Sequence, residues 1–302
     1  MEKTVLSSIS ASFLRDIYAR MLLTRMVDDC ACKLYQQGLI GFAATCRGHE
    51  AAQVASAVCI EGGEDFTLPY YRDLGVVLTI GMTPYEVFRT YLLAHRQQTS
   101  TGAGFVQNRP ALHWGYHKRN TITGPAPVAT QILHAAGIAF ACKLRKASAV
   151  TVAYCGDGAT AEPDFLEGIT FAVQHQLPVV FICEQDCSQT SPLHSLSLPD
   201  RLEHQSIDGA DVMAVYQAMQ AAMQHARDGH GPVLLEMRVM RSMPGQPVVS
   251  LDEGTVQDDP LLRCQQLLKE RGVWDEEWAT RLYARIQAEV EQAMQGAVRD
   301  AG

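Results

Sequence analysis

The segment Ala153–Asp186, AYCGDGATAEPDFLEGITFAVQHQLPVVFICEQD, determines the predicted fold. Its first apolar run ends at Gly-Asp-Gly, an amphipathic stretch follows, and a second apolar run ends at another acid. This order is typical of a β-α-β unit, with strands over 149–155 and 178–184 and a helix over about 162–175. Such strands are parallel and usually buried on both faces. We therefore predict an α/β fold, with a mainly parallel sheet, helices on both faces and a helical C-terminal tail.

The two acids of this segment are expected at one edge of the sheet. Asp157 directly follows the first strand, and Asp186 lies just past the end of the second, where open parallel sheets bind ligands. Gly156 and Gly158 would permit a tight turn and a close backbone approach, as a phosphate group requires. Magnesium commonly takes one or two carboxylates plus phosphate oxygens. The pattern favours a magnesium site, although Gly-Asp-Gly alone is also typical of an ordinary turn.

Composition limits the possible functions. The chain has 302 residues, 47% of them hydrophobic, which is enough for a buried core. Its formal net charge of -8 argues against binding to nucleic acid or to anionic membrane lipid. The first thirty residues lack a signal-peptide pattern, and the nine cysteines form no CxxC pair, so we expect reduced thiols and a cytoplasmic location.

Further helices flank the β-α-β unit. Over residues 11–38, Leu14, Tyr18 and Met21 recur at helical spacing between charged residues that include Arg25 and Asp28. Other helices are predicted over Glu50–Ile60, from the capping box at Thr83-Pro84-Tyr85-Glu86 to about His95, over about 127–146 and over about 210–228. The helix over 127–146 is apolar on most faces, which suits burial between other elements. Gln98–Asn120 is predicted to be a long loop, and 232–240 a further strand.

No internal repeat or linker is visible, so we predict a single domain over residues 1–302. Its N-terminal helices would cover about 8–60. Its C-terminal helical tail would cover about 259–298, as two helices over about 259–271 and 275–297.

The sequence resembles the α subunits of the thiamine-diphosphate-dependent 2-oxo acid dehydrogenase E1 enzymes, of the branched-chain, pyruvate and acetoin type. The resemblance covers most of the chain. The family's cofactor motif begins with Gly-Asp-Gly and ends nearly thirty residues later in Asn-Asn. The other similar segments are GFAATCRGHEAAQVASA (41–57), YYRDLGVVLTIG (70–81), HWGYHKRNTITGPAPVATQILHAAGIAFACK (113–143), IDGADVMAVY (207–216) and DDPLLRCQQLLKERGVWDEE (258–277).

The resemblance implies a thiamine-diphosphate-binding fold and a set of site residues. Asp157, Asp186 and the carbonyl of Ser188 would coordinate Mg²⁺. Tyr71 and Arg72 match the pair that contacts the cofactor diphosphate, a task that suits the guanidinium fork, although a surface loop is the alternative for these two residues. The remaining cofactor-binding positions would be Val128, through its backbone, and Gly156, Gly158 and Ala159.

His113 corresponds to the family's active-site histidine. An imidazole near neutral pH can donate to or accept from a substrate carboxylate. One histidine among ten is otherwise more often a surface or core residue. His117, four residues on, is a weaker candidate for the same role.

The resemblance also implies partners. In this family a separate β subunit supplies the pyrimidine-binding half of the site and the activating glutamate, and the enzymes assemble as α2β2. The helix over 127–146 would suit a close helix contact in such an assembly, and an exposed patch on an isolated monomer is the competing prediction.

The sequence departs from the family in three places. The terminal Asn-Asn is Gln185-Asp186 here, which replaces a neutral ligand with a carboxylate. The connection from Asp186 to Asp208 is shorter and lacks a Gly-rich helix, so the substrate pocket would be wider or closed by the partner. The loop after strand 232–240 reads RSMPGQPVVSLDEG, without the histidine that relatives use in acyl transfer to a lipoyl domain.

These features predict an α subunit that decarboxylates a 2-oxo acid and passes the product to lipoamide or to a small carbonyl compound. The missing histidine makes the lipoyl carrier protein a doubtful partner and shifts the expectation towards carboligation, since forming an acyloin needs no lipoyl partner. A catalytically silent interaction subunit is the alternative from another class.

Overall fold

The sheet predicted around Ala153–Asp186 is present and is parallel throughout. The computed structural model describes residues 9–100, 113–240 and 259–301, of which 96–100 and 301 are described by their backbone alone. Within these ranges the sheet has five strands in the order β1-β2-β3-β5-β4. The strands are β1 (Phe66–Leu68), β2 (Thr151–Gly156), β3 (Val179–Asp186), β4 (Glu203–Asp208) and β5 (Val233–Val239).

Helices pack on both faces of the sheet, as predicted. They are α1 (Ala11–Gln36), α2 (Glu50–Ala57), α3 (Leu74–Ile80), α4 (Pro84–Ser100), α5 (Thr130–Leu144), α6 (Pro163–Gln174), α7 (Val212–Arg227), α8 (Pro260–Glu270) and α9 (Glu276–Ala301). Val152 and Tyr154 of β2 belong to a core shared with α1, α2, α3 and α7. Ala153 and Cys155 point the other way, into a core shared with α5 and α6. Because successive side chains of a strand point to opposite faces, β2 contributes to two cores.

Most predicted elements are confirmed with small shifts at their ends. The β-α-β unit is β2-α6-β3, the C-terminal helices are α8 and α9, and α4 begins at the predicted capping box. There the backbone N–H of Thr83 donates to Glu86 Oε2 at 2.9 Å, and the backbone N–H of Glu86 donates to Thr83 Oγ1 at 3.2 Å. Of the predicted loop Gln98–Asn120, residues 101–112 lie outside the described residues, and α4 extends to Ser100.

Two features of the helices differ from what their sequence patterns suggest. Arg25 and Asp28 on α1 are 6% and 2% exposed, so they do not face solvent. Arg25 is paired instead with Glu50 on α2 and with Asp259, which caps α8, and its Nη1 lies 3.0 Å from the Asp259 carboxylate. These two ion pairs link α1, α2 and α8, which the sequence pattern does not connect.

The helix α5 is not buried between other elements. One side packs against the sheet through Ile132, Ala135, Ala136 and Ala139. The opposite side leaves Gly137, Ala141 and Leu144 exposed, and Leu144 is 69% exposed. The apolar residues of α5 therefore form two surfaces, one that packs against the sheet and one that is uncovered.

One boundary near the predicted site also changes. Asp186 is the last residue of β3, not a residue beyond it.

No helix within the described ranges is both long enough and apolar enough to cross a membrane. The single-domain organisation stays a prediction.

Candidate active site

Two aspartates lie together at the carboxyl end of the sheet. Asp157 opens a short 3₁₀ turn, Asp157–Ala161, directly after β2, and Asp186 ends the neighbouring β3. Gly156 and Glu184 are register partners, which places both acids at one edge. The backbone N–H of Asp186 approaches Asp157 Oδ2 at 3.4 Å. The two carboxylates therefore face the same space, although they come from sequence positions 29 residues apart.

A cavity opens at this edge and encloses about 880 Å³, including the space open to solvent. The predicted site residues that line it are Tyr71, Arg72, His113, Val128, Gly156, Asp157, Gly158, Ala159 and Asp186. Ser188 and His117 do not line it, and both side chains are exposed. The backbone N–H of Ser188 donates to Asp186 Oδ1 at 2.9 Å, so Ser188 still adjoins the acids.

Tyr71 and Arg72 occupy the turn that leads from β1 into α3. The guanidinium of Arg72 lies 5.2 Å from the centre of the Tyr71 ring, and its Nη1 donates to the carbonyl of Thr45 at 3.0 Å. The indole N–H of Trp114 donates to the Tyr71 carbonyl at 3.2 Å. These contacts fix the turn and hold a cation on the cavity wall.

His113 and Val128 also line the cavity. A Cβ atom added to Gly124 would lie 3.9 Å from His113 Nδ1, so the histidine lies close to the segment leading into α5. Val128 is 54% exposed, and the following Ala129 has a positive φ of 70°. A left-handed alanine is uncommon and strained, and such strain often marks functional sites. It turns the backbone at the entrance to α5 beside the cavity.

The glycines of the Gly-Asp-Gly motif do not serve the turn as predicted. Gly156 has φ -91° and ψ 168°, which any residue can adopt, and Gly158 is not among the glycines with positive φ. A Cβ atom added to Gly158 would meet no atom within 4 Å. Its missing side chain instead leaves open space next to Asp157, which supports the other predicted purpose, close approach of a ligand.

Sequence reasoning missed a buried polar cluster behind the aspartates. Glu184 Oε2 lies 2.7 Å from His49 Nδ1 and accepts hydrogen bonds from the Tyr70 hydroxyl at 2.6 Å and from Gln53 Nε2 at 3.3 Å. Burial, reinforced by Glu184, raises the pKa of Tyr70 well above its ordinary value. The phenol therefore stays protonated and donates a hydrogen bond to the Glu184 carboxylate.

Burial and the charge of Glu184 also raise the pKa of the nearby Asp73 carboxyl well above its usual range. One signal for this cluster was visible in the sequence, since Glu184 is a charged residue that ends the predicted strand 178–184 after an apolar run. Charges in a fully buried strand are rare unless they are paired. The partner positions could not be identified, because 131 to 135 residues separate Glu184 from Gln53 and His49.

Comparison with known protein families matches residues 18–188 and 204–301 to the family "Dehydrogenase E1 component". The chain belongs to this family. It is 34% identical to the 2-oxoisovalerate dehydrogenase subunit alpha of Bacillus subtilis (strain 168), over 92% of this chain and 88% of the relative. It is 30% identical to the pyruvate dehydrogenase E1 component subunit alpha of Staphylococcus aureus (strain Mu50 / ATCC 700699), over 93% and 77% of the two chains. The resemblance to E1 α subunits is confirmed, and the chain is an enzyme subunit of the α type.

The family match is interrupted in this E1 chain over residues 189–203, within the connection that departs from the family pattern. Here a 3₁₀ turn, Pro192–Ser195, lies between β3 and β4, and Leu193 is buried in the core on the α5 and α6 side. The hydroxyl of Ser191 hydrogen-bonds to the carboxylate of Glu236 on β5. The short connection is therefore tied back onto the sheet. Whether the substrate pocket is wider or is closed by a partner stays a prediction.

The third departure, the loop with RSMPGQPVVSLDEG (241–254), lies outside the described residues. Its lack of a histidine is a property of the sequence.

Proposed function

We propose that this E1 α chain binds thiamine diphosphate with Mg²⁺ and, together with a β subunit, decarboxylates a 2-oxo acid. The observation that carries the proposal is the convergence of Asp157 and Asp186 on a cavity whose wall also holds Arg72. Oxygen ligands for a hard cation and a guanidinium for an anionic group therefore face the same space. A metal-bound diphosphate needs this combination.

The described residues fit such a ligand. The open space beside Gly158 would accommodate phosphate oxygens close to the backbone. Asp186 Oδ1 accepts a hydrogen bond from the backbone N–H of Ser188 at 2.9 Å, and the two carboxylate oxygens of Asp157 accept from the backbone N–H groups of Gly158 at 2.8 Å and of Asp186 at 3.4 Å. These bonds orient the two carboxylates as a pair. We propose that they hold Mg²⁺ together with the carbonyl of Ser188, and that diphosphate oxygens complete the shell.

The other predicted residues have roles at the two ends of the cavity. Tyr71 and Arg72 would bind the diphosphate, with Gly156, Gly158 and Ala159 lining its path. Val128 would offer backbone groups to the aminopyrimidine, so its side chain matters little. His113, which also lines the cavity, would bind the substrate carboxylate and move a proton there. Thiamine diphosphate itself supplies the electron sink that allows carbon dioxide to leave a 2-oxo acid.

The β subunit would complete the site. The names of the relatives designate α subunits, and we propose an α2β2 assembly in which the partner contributes the activating glutamate. The exposed face of α5 supports this proposal, because Gly137, Ala141 and Leu144 offer a flat apolar strip suited to a second helix. A cytoplasmic location also stays a prediction.

The acceptor is either lipoamide or a small carbonyl compound. The segment 241–258 contains no histidine for transfer to a lipoyl group. This favours carboligation as the second candidate, because the addition of the decarboxylated unit to an aldehyde or ketone requires no lipoyl partner.

Copurification with the β subunit, followed by an assay of carbon dioxide release, tests the proposal. With Mg²⁺ and thiamine diphosphate, the complex is expected to release carbon dioxide from a 2-oxo acid, and the chain without its partner is not. Stimulation by a lipoyl acceptor would support the dehydrogenase reaction, and stimulation by an aldehyde with acyloin formation would support carboligation. No release from any 2-oxo acid would leave only a silent interaction subunit.

A further inference from the structure

His49 is held rigidly at the back of the cavity. It directly precedes α2, it is only 3% exposed, and it belongs to the residues that line the cavity. Its Nδ1 lies 2.7 Å from Glu184 Oε2. A carboxylate oxygen accepts hydrogen bonds, so Nδ1 is the donor and the ring orientation is fixed by this bond.

The other ring nitrogen has nothing to bind among the described residues. His49 Nε2 is buried and unpartnered there, and so is Glu184 Oε1. Leaving a buried polar atom unpaired is unfavourable, and native structures do so rarely. His49 lines the cavity, which indicates that a bound group satisfies its Nε2.

The position of this pair identifies the end of the cavity that it serves. Glu184 is the register partner of Gly156, the first glycine of Gly-Asp-Gly. The Tyr70 ring also lies against this glycine, since a Cβ atom added to Gly156 would be 3.5 Å from Tyr70 Cε2. Because His49 and Tyr70 share Glu184 Oε2, His49 lies near Gly156, the residue before Asp157, at the end of the cavity that we assign to the diphosphate.

Charge at this end favours an additional cation. Three carboxylates, those of Asp157, Glu184 and Asp186, line the cavity. The basic side chains among its described lining residues are Arg72, His49 and His113, and the proposed function assigns His113 to the substrate. An anionic diphosphate placed near three carboxylates requires more positive charge than one guanidinium and one Mg²⁺ provide.

We infer that His49 binds the diphosphate of the cofactor, with Glu184 holding Nδ1–H and with Nε2–H donating to a phosphate oxygen. The inference rests on the proposed function. In the complex the ring is an imidazolium, in which both nitrogens carry a proton, and Glu184 acts as its counterion. Tyr70 and Gln53 are positioning residues, because they hold the carboxylate that orients the ring.

Two substitutions separate the roles of the two ring nitrogens. His49→Asn keeps a donor near the Nδ1 position for Glu184 but places no atom at Nε2. His49→Gln reaches further and places an amide donor near Nε2. The matched control is His117→Asn, because His117 is exposed and does not line the cavity.

Isothermal titration of the complex with its β subunit, at fixed Mg²⁺, compares thiamine diphosphate with thiamine. A charge-assisted hydrogen bond contributes enough that we expect His49→Asn to weaken diphosphate binding on the order of 10- to 100-fold. Thiamine, which lacks phosphate, is expected to bind both proteins equally. His49→Gln is expected to restore part of the loss, and His117→Asn to bind as the wild type does.

The outcomes distinguish this inference from the proposed function. Wild-type complex that binds no thiamine diphosphate contradicts the proposed function. Unchanged diphosphate affinity in His49→Asn, or an equal loss of thiamine affinity, contradicts the inference alone. If His49→Asn does not assemble, nuclear magnetic resonance of ¹⁵N-histidine in the wild-type complex replaces it. Thiamine diphosphate, but not thiamine, is then expected to shift the Nε2 signal of His49, and no shift contradicts the inference.

Discussion

Asp28 on α1 is a buried carboxyl group whose titration affects stability. It accepts hydrogen bonds from the Thr45 hydroxyl at 2.6 Å and from the Cys46 backbone N–H at 3.2 Å. Burial outweighs these bonds and raises its pKa from the ordinary 3.8 to about 6. The folded state therefore holds the proton more tightly than the unfolded state does. The stabilising contribution is complete below pH 3.8 and is lost as the pH rises through about 6.

Asp28→Asn removes this pH dependence, because the amide is neutral at every pH. A shift of this size corresponds to about 3 kcal/mol, so the variant is expected to gain up to about that much stability relative to the wild type between pH 4 and pH 7. Urea unfolding of both proteins at several pH values measures the difference in the free energy of unfolding. A difference that stays constant across this range contradicts the prediction.

Asp186 stands where the family motif has a neutral amide, and the structure places it next to Asp157. We expect the second carboxylate to tighten metal binding and to make cofactor binding depend more strongly on metal, because a carboxylate attracts Mg²⁺ but repels diphosphate. Asp186→Asn is then expected to bind Mg²⁺ on the order of tenfold more weakly, and to bind thiamine diphosphate at a lower metal concentration. Calorimetric titration of the complex with both ligands tests this. Unchanged affinities for metal and cofactor contradict it.

The residues of the site differ in how far the sequence predicts them. Asp157 and Asp186 follow from the order of apolar and polar segments, because parallel strands bring their carboxyl ends to one edge. Tyr71, Arg72 and His113 require the resemblance, since nothing in their local pattern places them at that edge. His49 and Tyr70 escaped both approaches. Their importance comes from a long-range contact with Glu184, which no local pattern shows.

The contact between α5 and α6 depends on one glycine. A Cβ atom added to Gly168 of α6 would lie 2.9 Å from Ile132 Cγ2 and 3.0 Å from the backbone at Ile132 and Leu133. The main chain of α5 cannot move aside without disturbing the core that it forms with β2. Gly168 therefore permits close packing between α5 and α6, and this role does not depend on its backbone freedom.

Gly168→Ala is expected to destabilise the chain by about 1–3 kcal/mol through overpacking. Gly137→Ala on α5 is the matched control, because its added Cβ would meet no atom within 4 Å and its φ is not positive. This control is expected to gain about 0.5–1 kcal/mol from reduced chain entropy in the helix. Chemical unfolding of the purified variants measures both effects. Equal changes in the two variants contradict the packing argument.

The elements that the sequence did not reveal are either largely exposed or very short. The strand β4 reads EHQSID, and four of its six residues are exposed, so its edge position removes the apolar signal. The helix α3 has only seven residues, and β1 has three, which is too short for a period to be recognised. Long buried elements, such as β3 and α1, are predicted well because burial imposes a pattern on many residues.

The two faces of the sheet are covered to different extents. The face with α1, α2, α3 and α7 also carries the C-terminal α9, which packs against α1 and α4. Among the described residues, the other face is covered by α5, α6, the short connection after β3 and Ile122. The outer side of α5 is thus the end of the layered structure. We expect the proposed α2β2 assembly to continue the packing from this surface.

Ala141→Glu tests this expectation at the scale of the assembly. Ala141 is exposed on α5 between Gly137 and Leu144, so a glutamate there is expected to place an uncompensated charge in the helix contact. The purified complex is expected to separate into smaller species in analytical ultracentrifugation. The stability of the chain itself is expected to change by no more than about 0.5 kcal/mol, because the position is a surface one.

The same substitution at Ala221 is the control. Ala221 is also exposed on a helix, α7, but on the opposite face of the sheet. Ala221→Glu is expected to sediment as the wild-type complex does. An Ala141→Glu complex of wild-type size would place the partner elsewhere and would leave the apolar strip of α5 as a surface of the free molecule. Loss of assembly in Ala141→Glu alone assigns the contact to α5, because the two variants carry the same added charge on the same kind of element.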